Sequence, residues 1–180
     1  MKRILLPTDF SENSWNAIRY ILELMKKEEC EFHLLNTYTP VISSSRFMAS
    51  NAQSSTLDEG SKENSQKGLE DIMSMIKKKF RNKKHTFKIR SSFNILVEEI
   101  RNVVEHEGID LVVTGTKGAS GVDEVFLGSN TVRIIKAVKE CPVLTIPKDF
   151  DYVKPQELVF ATDFKRFYSR SELQPLIDLA

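Results

Sequence analysis

Cysteine is scarce: Cys30 and Cys141 are the two in 180 residues. They are far apart and belong to no Cys-x-x-Cys or Cys/His ligand spacing, which disfavours a disulfide framework and a structural zinc site. Two structural thiols in a reducing compartment are expected. Charge of one sign is also missing, because 26 Lys and Arg nearly balance 25 Asp and Glu. No global field therefore draws the chain to nucleic acid or an anionic membrane. No apolar run approaches the ~20 residues that span a bilayer, and the apolar start, Ile4 to Leu6, is too short for a signal segment. A cytoplasmic protein is expected. His33, His85 and His106 fall on separate elements with no nucleophile elbow nearby, which argues against a hydrolytic constellation. Each is read as a surface or half-buried histidine.

What is present is an alternation of short apolar runs and amphipathic stretches. Ile4 to Leu6 is the continuous run of a strand buried on both faces, and it stops at Pro7. Ser11 caps a helix from Glu12 to about Lys27, with Ala17, Ile18, Ile21, Leu22 and Met25 inward. Phe32, Leu34 and Leu35 make a second strand that ends near Asn36-Thr37. From Thr39 to about Gln66 the composition shifts to Ser, Asn and Gln, too poor in large apolar residues to order itself, and predicts a mobile insertion or flap. Leu69, Ile72, Met73, Ile76 and Phe80 mark a second helix, and Thr86 to Ser91 an edge strand. Asn94 is read as the cap of a third helix that Gly108 ends. Leu111 to Val113 is a fourth strand, a fourteen-residue loop runs from Gly115 to a helix at Ser129, and Pro142 to Ile146 is the fifth strand. This order predicts a doubly wound α/β domain with a parallel sheet.

Past Pro147 the pattern restarts. A charged linker, residues 148–156, precedes Glu157-Leu158-Val159-Phe160-Ala161-Thr162-Asp163-Phe164, which matches Arg3 to Phe10 position by position, including Thr-Asp-Phe. Residues 157–180 are thus expected to open a second, incomplete copy, with Leu173, Leu176, Ile177 and Ala180 on its first helix. A shortened tandem is favoured over a disordered tail or one docked on a neighbour.

Ligands of open α/β sheets sit where strand order reverses, outside the carboxyl ends of the strands. In the order 3-2-1-4-5 that point lies between strands one and four, so Pro7-Thr8-Asp9 and Gly115-Thr116-Lys117-Gly118 converge on one crevice. Gly128 followed by Ser129, Asn130 and Thr131 puts close backbone approach, a hydroxyl and a helix N-terminus in one place, which suits a phosphate. Asp9 alone also suits a helix cap, and glycines alone suit turns. The loop is neither a Walker A nor a Gly-x-Gly-x-x-Gly sequence, and Asn36-Thr37 offers no acid for an NAD ribose.

Gly115-x2-Gly118-x9-Gly128-Ser129, with Pro7-Thr8-Asp9-Phe10-Ser11 and Cys141-Pro142-Val143-Leu144, resembles the ATP-binding branch of the universal stress protein family over residues 1–147. The resemblance implies a Rossmann-like domain of the adenine nucleotide alpha hydrolase-like kind. It implies that Asp9 bonds the ribose or the adenine edge and that Thr37 offers backbone groups to the base. Gly115, Gly118, Gly128, Ser129, Asn130 and Thr131 would hold phosphates and ribose. Thr37 stands where a valine is common in the family. Lys117 is suited to pairing a phosphate as a point charge or to standing solvated, and Gly121 carries no assigned contact. The expected ligand is ATP, ADP or AMP, with Mg2+ only through its phosphates. The expected role is regulatory binding in a stress response, with at most slow ATPase activity. A dimerisation module using edge residues 143–146, paired with a second copy or with the second domain of a tandem, is the alternative. ATP hydrolysis or phosphotransfer to a flap serine comes third.

Overall fold

The computed structural model describes residues 1–39, 54–116 and 128–178, with side chains of 54–59 excepted. Five strands, β1 (Lys2–Pro7), β2 (Cys30–Tyr38), β3 (His85–Phe93), β4 (Leu111–Gly115) and β5 (Val143–Ile146), form one sheet. All its pairings are parallel and the order is β3-β2-β1-β4-β5. The helices are α1 (Glu12–Leu24), α2 (Ser54–Lys79), α3 (Leu96–Glu107), α4 (Ser129–Ala137) and α5 (Arg170–Ile177). Among the described residues no helix is long and apolar enough to cross a membrane.

Alternation along β1 explains the two layers, because successive side chains of a strand point to opposite faces. Ile4 and Leu6 join Ile18, Ile21, Leu69 and Ile76 in the layer made by α1 and α2. Leu5 joins Leu35, Ile100, Val104, Val112 and Ile134 in the layer made by α3 and α4. Ile4 and Leu5 are fully buried, and complete burial of each such side chain contributes roughly 1.5–3 kcal/mol. A strand that must be apolar on both faces belongs at the sheet centre, and β1 lies there between β2 and β4.

Several elements differ from their sequence-based expectation. The helix begun by the Leu69 pattern reaches back to Ser54, into the stretch expected to be a flap. Elongating a helix gains a hydrogen bond for each residue fixed, unlike nucleating one. The anchor is small and polar: buried Ser65 shares a 2.7 Å hydroxyl hydrogen bond with Ser91 of β3. Residues 40–53, the rest of that stretch, lie outside the described residues. Asn94 is not the cap of α3; Ile95 is. The Asn94 side chain accepts from the Ile95 amide at 2.8 Å and donates to Glu99 at 2.9 Å. Gly108 does end α3, at φ 62° and ψ 54°, the left-handed conformation glycine adopts without penalty. Helix α1 stops at Leu24 rather than Lys27, and β3 is longer than expected at both ends. His33 and His85 are buried, where surface or half-buried histidines were expected. His33 Nε2 lies 2.8 Å from Glu31 Oε1, and His85 Nε2 lies 3.1 Å from the Met25 carbonyl oxygen.

The segment after β5 is held. Buried Asn16 on α1 donates from Nδ2 toward the carbonyls of Pro147, Lys148 and Phe150 at 3.1, 3.2 and 3.0 Å. Tyr20 meets the rings of Phe150 and Tyr152, with centroids 6.2 and 5.3 Å apart. Residues 157–164, expected as a strand, form none. A β1-like strand needs a neighbour on each side to pair its backbone, and Val159 is 89% exposed. Helix α5 does form, capped by Ser169 and Glu172 in a reciprocal box that needs no tertiary contact.

Candidate functional site

The crevice at the reversal of strand order is built from two sides. On the β1 side the chain leaves the sheet at Thr8, whose amide donates to the Leu35 carbonyl at 2.8 Å. Thr8 is buried, its Oγ1 lying 3.0 Å from Ser14 Oγ and accepting from the Phe10 amide at 3.1 Å. Asp9 projects outward, and its Oδ1 accepts from the Ser11 amide at 3.1 Å and from Ser11 Oγ at 2.6 Å. Ser11 in turn caps α1, accepting from the Ser14 amide at 3.2 Å. The helix cap is therefore Ser11, and Asp9 supports the cap from outside it.

On the opposite side, the Thr116 amide donates to the Ile146 carbonyl at 3.0 Å and the Gly128 amide to the Thr116 carbonyl at 2.6 Å. These bonds pin both ends of the glycine loop to the carboxyl end of the sheet. Lys117, Gly118 and Gly121 lie outside the described residues. Gly128 caps α4 without a side-chain hydrogen bond. Among the described residues no acidic side chain stands in the first turn of α4 and none caps it, at the end where the helix dipole is positive. Thr131, at the third position of α4, is buried and its Oγ1 donates to the Gly115 carbonyl at 2.9 Å. Its hydroxyl is spent on locking α4 to β4, which leaves Ser129 and Asn130 as the exposed polar side chains of the first turn. At Gly115 the missing side chain makes room for a neighbour, because an added Cβ would come within 2.7 Å of Asn13 Cγ on α1.

Between the two sides lies a cavity of about 230 Å³. Bounded by described residues alone, it falls just below the range of about 300–1,000 Å³ usual for ligand pockets. Pro7, Thr8, Asp9, Thr37, Gly115, Gly128, Ser129, Asn130 and Thr131 all line it. So do Ser14, Asn36, Leu96, Thr114 and Ile134, which the motif reading did not single out. Asn36 donates to the Thr8 carbonyl at 2.7 Å, so the end of β2 braces the exit of β1. A polar residue closing an apolar strand beside Thr37 was the available signal. Among the described lining residues Asp9 is the one charged group. None of the three histidines lines the cavity. Among the described residues no group of three or more His, Cys, Asp or Glu side chains is arranged to hold a metal ion.

The turn at Thr8-Asp9-Phe10 has a second copy. Phe164 takes φ 57° where Phe10 takes 64°. The Phe164 amide donates to Thr162 Oγ1 at 3.1 Å, and the Lys165 amide to Asp163 Oδ1 at 3.1 Å. The sequence repeat is thus a repeat of local geometry, standing away from any sheet.

Comparison with known proteins places this arrangement. Residues 1–147 match the Universal stress protein family. A universal stress protein of Methanocaldococcus jannaschii is 30% identical over 149 residues, covering 82% of each chain. Another from the same organism is 28% identical over 168 residues, covering 82% of this chain and 95% of the relative. Its solved structure superimposes with a TM-score of 0.67 at 26% identity, covering 81% of this chain and 95% of that one. An Arabidopsis thaliana universal stress protein family protein with AMP bound shares the fold, with a TM-score of 0.54 at 17% identity over 82% of this chain and 92% of that one. By the extent of the family match and by these relatives, the chain belongs to the universal stress protein family.

Proposed function

We propose that the chain is an adenine-nucleotide-binding regulatory protein that takes ATP, or AMP or ADP, in the crevice between β1 and β4. The observation that carries this reading is the convergence of Asp9, Thr37 and the N-terminus of α4, which begins at Gly128, on one cavity at the reversal of strand order. AMP bound to a family member of the same fold supports it. The Asp9 carboxylate, which Ser11 orients, is assigned to the ribose hydroxyls or the adenine amine as an acceptor. The backbone of Thr37 is assigned to the base. Gly115, Lys117, Gly118, Gly128, Ser129, Asn130 and the Thr131 amide are assigned to ribose and phosphates, with Lys117 as a point charge.

Binding rather than turnover is the proposed activity. In-line hydrolysis needs a positioned water and a base beside the terminal phosphate, and Asp9 is assigned to the nucleoside. Mg2+ enters only through phosphate oxygens. The test is to denature the purified protein and weigh any nucleotide released, then to titrate the emptied protein with ATP and AMP by calorimetry. Repeated absence of both release and binding refutes the reading. A second reading, self-association through β5, is favoured by that strand's place at the sheet edge with Val143 and Leu144 only half-buried. Light scattering that shows a monomer at high concentration removes it.

A further inference from the structure

Phe10 follows Asp9 directly and sits at φ 64°, a conformation that bulky residues seldom adopt. The copy at Phe164 shows how the turn arises: the same amide bond to a threonine hydroxyl forms there although the ring is 89% exposed. Local hydrogen bonds therefore suffice to make the turn. They do not say where the ring goes.

The Phe10 ring lies on α2 at Gly68. A methyl group on Gly68 would come within 2.5 Å of Phe10 Cζ, 2.6 Å of Cε2 and 2.8 Å of Cε1. Gly68 is inside a 26-residue helix, where glycine is the poorest choice after proline and the backbone has no need of it. Gly60, on the same helix, has nothing within 4 Å of its added Cβ. One helix thus holds two glycines, and one of them is a seat. We infer that Gly68 is a positioning residue for the nucleotide crevice: it receives the Phe10 ring and so anchors on α2 the turn in which Ser11 orients the adjacent Asp9 carboxylate. The inference rests on reading the crevice as an adenine-nucleotide site.

The experiment titrates the full chain with AMP and ATP by calorimetry, for wild type, Gly60→Ala, Gly68→Ala, Gly68→Leu, Phe10→Ala and Phe10→Ala/Gly68→Leu, with thermal unfolding of each. Gly60→Ala should bind as wild type. Gly68→Ala should bind about tenfold more weakly, as directly coupled neighbours do, while its melting temperature holds or rises. Alanine favours the helix, so a purely structural role predicts no such loss of affinity. The double variant should bind no more weakly than Phe10→Ala, because a side chain at 68 no longer meets a ring. Should Gly68→Leu fail to fold, the alanine pair still decides. Wild-type affinity in Gly68→Ala, or losses that simply multiply in the double variant, overturn the positioning role alone. A wild-type chain that binds neither AMP nor ATP overturns the site reading and the positioning role together.

Discussion

Replacing Asn16 with alanine should loosen the chain after β5 and weaken the whole domain by about 2 kcal/mol. The side chain is buried, and its two Nδ2 protons serve three carbonyls at 3.0–3.2 Å, so two full hydrogen bonds are at stake. Each contributes roughly 1 kcal/mol net. Asn16 Oδ1 also accepts from Arg19 at 2.7 Å, but the Arg19 side chain is 41% exposed and turns to water at little cost. For a domain of this size, that loss corresponds to a drop of about 4–8 °C in melting temperature. Urea unfolding followed through Trp15, the single tryptophan, reads the global effect. Hydrogen exchange at residues 148–152 reads the local one, since Tyr152 should leave Tyr20 when the carbonyls seek water. An unchanged urea midpoint together with unchanged protection of residues 148–152 refutes the reasoning.

Two glycines of the site should part company on substitution. Gly128→Val should abolish AMP and ATP binding in calorimetry while the melting temperature holds, because Gly128 lines the cavity proposed for the nucleotide. Gly115→Ala should instead cost about 1–3 kcal/mol of stability by denaturant titration, since its Cβ meets Asn13 on α1. Acid should unfold the protein through Glu31 and Glu99. The His33 and Lys88 hydrogen bonds hold Glu31 below its ordinary pKa. Burial pushes Glu99 up, but hydrogen bonds from Asn94, Arg90 and Ser92 outweigh it and leave Glu99 low. A depressed native pKa gives stability that is complete above the unfolded value, about 4.3, and is lost as pH falls through the native one. The urea midpoint should therefore fall below about pH 4.3, and Glu99→Gln should flatten that fall. Burial, with Glu140 and Asp110 nearby, pushes the Cys141 thiol up to about 11, and burial also raises Cys30. Both should react with an aromatic disulfide reagent at pH 8 only after urea is added.

The sheet was legible because its central strands are extreme. Ile4 to Leu6 and Leu111 to Val113 are apolar at every position, which suits a strand covered on both faces, and β1 and β4 are neighbours. Capping chemistry was legible at Ser11 and Gly108, where a hydroxyl or a missing Cβ acts on adjacent backbone. The start of α2 was not, because Ser65 is held by Ser91 across the fold and a search for large apolar residues passes it by. Asn36 and Ser14 were missed in the crevice for a related reason. Their roles depend on Thr8, which each meets only when strand and helix have packed.

Within residues 1–147 the sequence alone set the kind and order of the elements, and with them a doubly wound parallel sheet. The sequence also set the Thr-Asp-Phe turn, twice, because its hydrogen bonds span two residues. Packing decided what each copy is for. At 8–10 the turn faces Gly115, Gly128 and the N-terminus of α4 across a cavity, whereas at 162–164 the same bonds form in the open. Packing also decided that the Thr131 hydroxyl belongs to Gly115 and that the bare face of Gly115 belongs to Asn13. The physical reason is range: a turn or cap is closed by neighbours in the chain, while a binding crevice exists only where distant segments are brought to face one another.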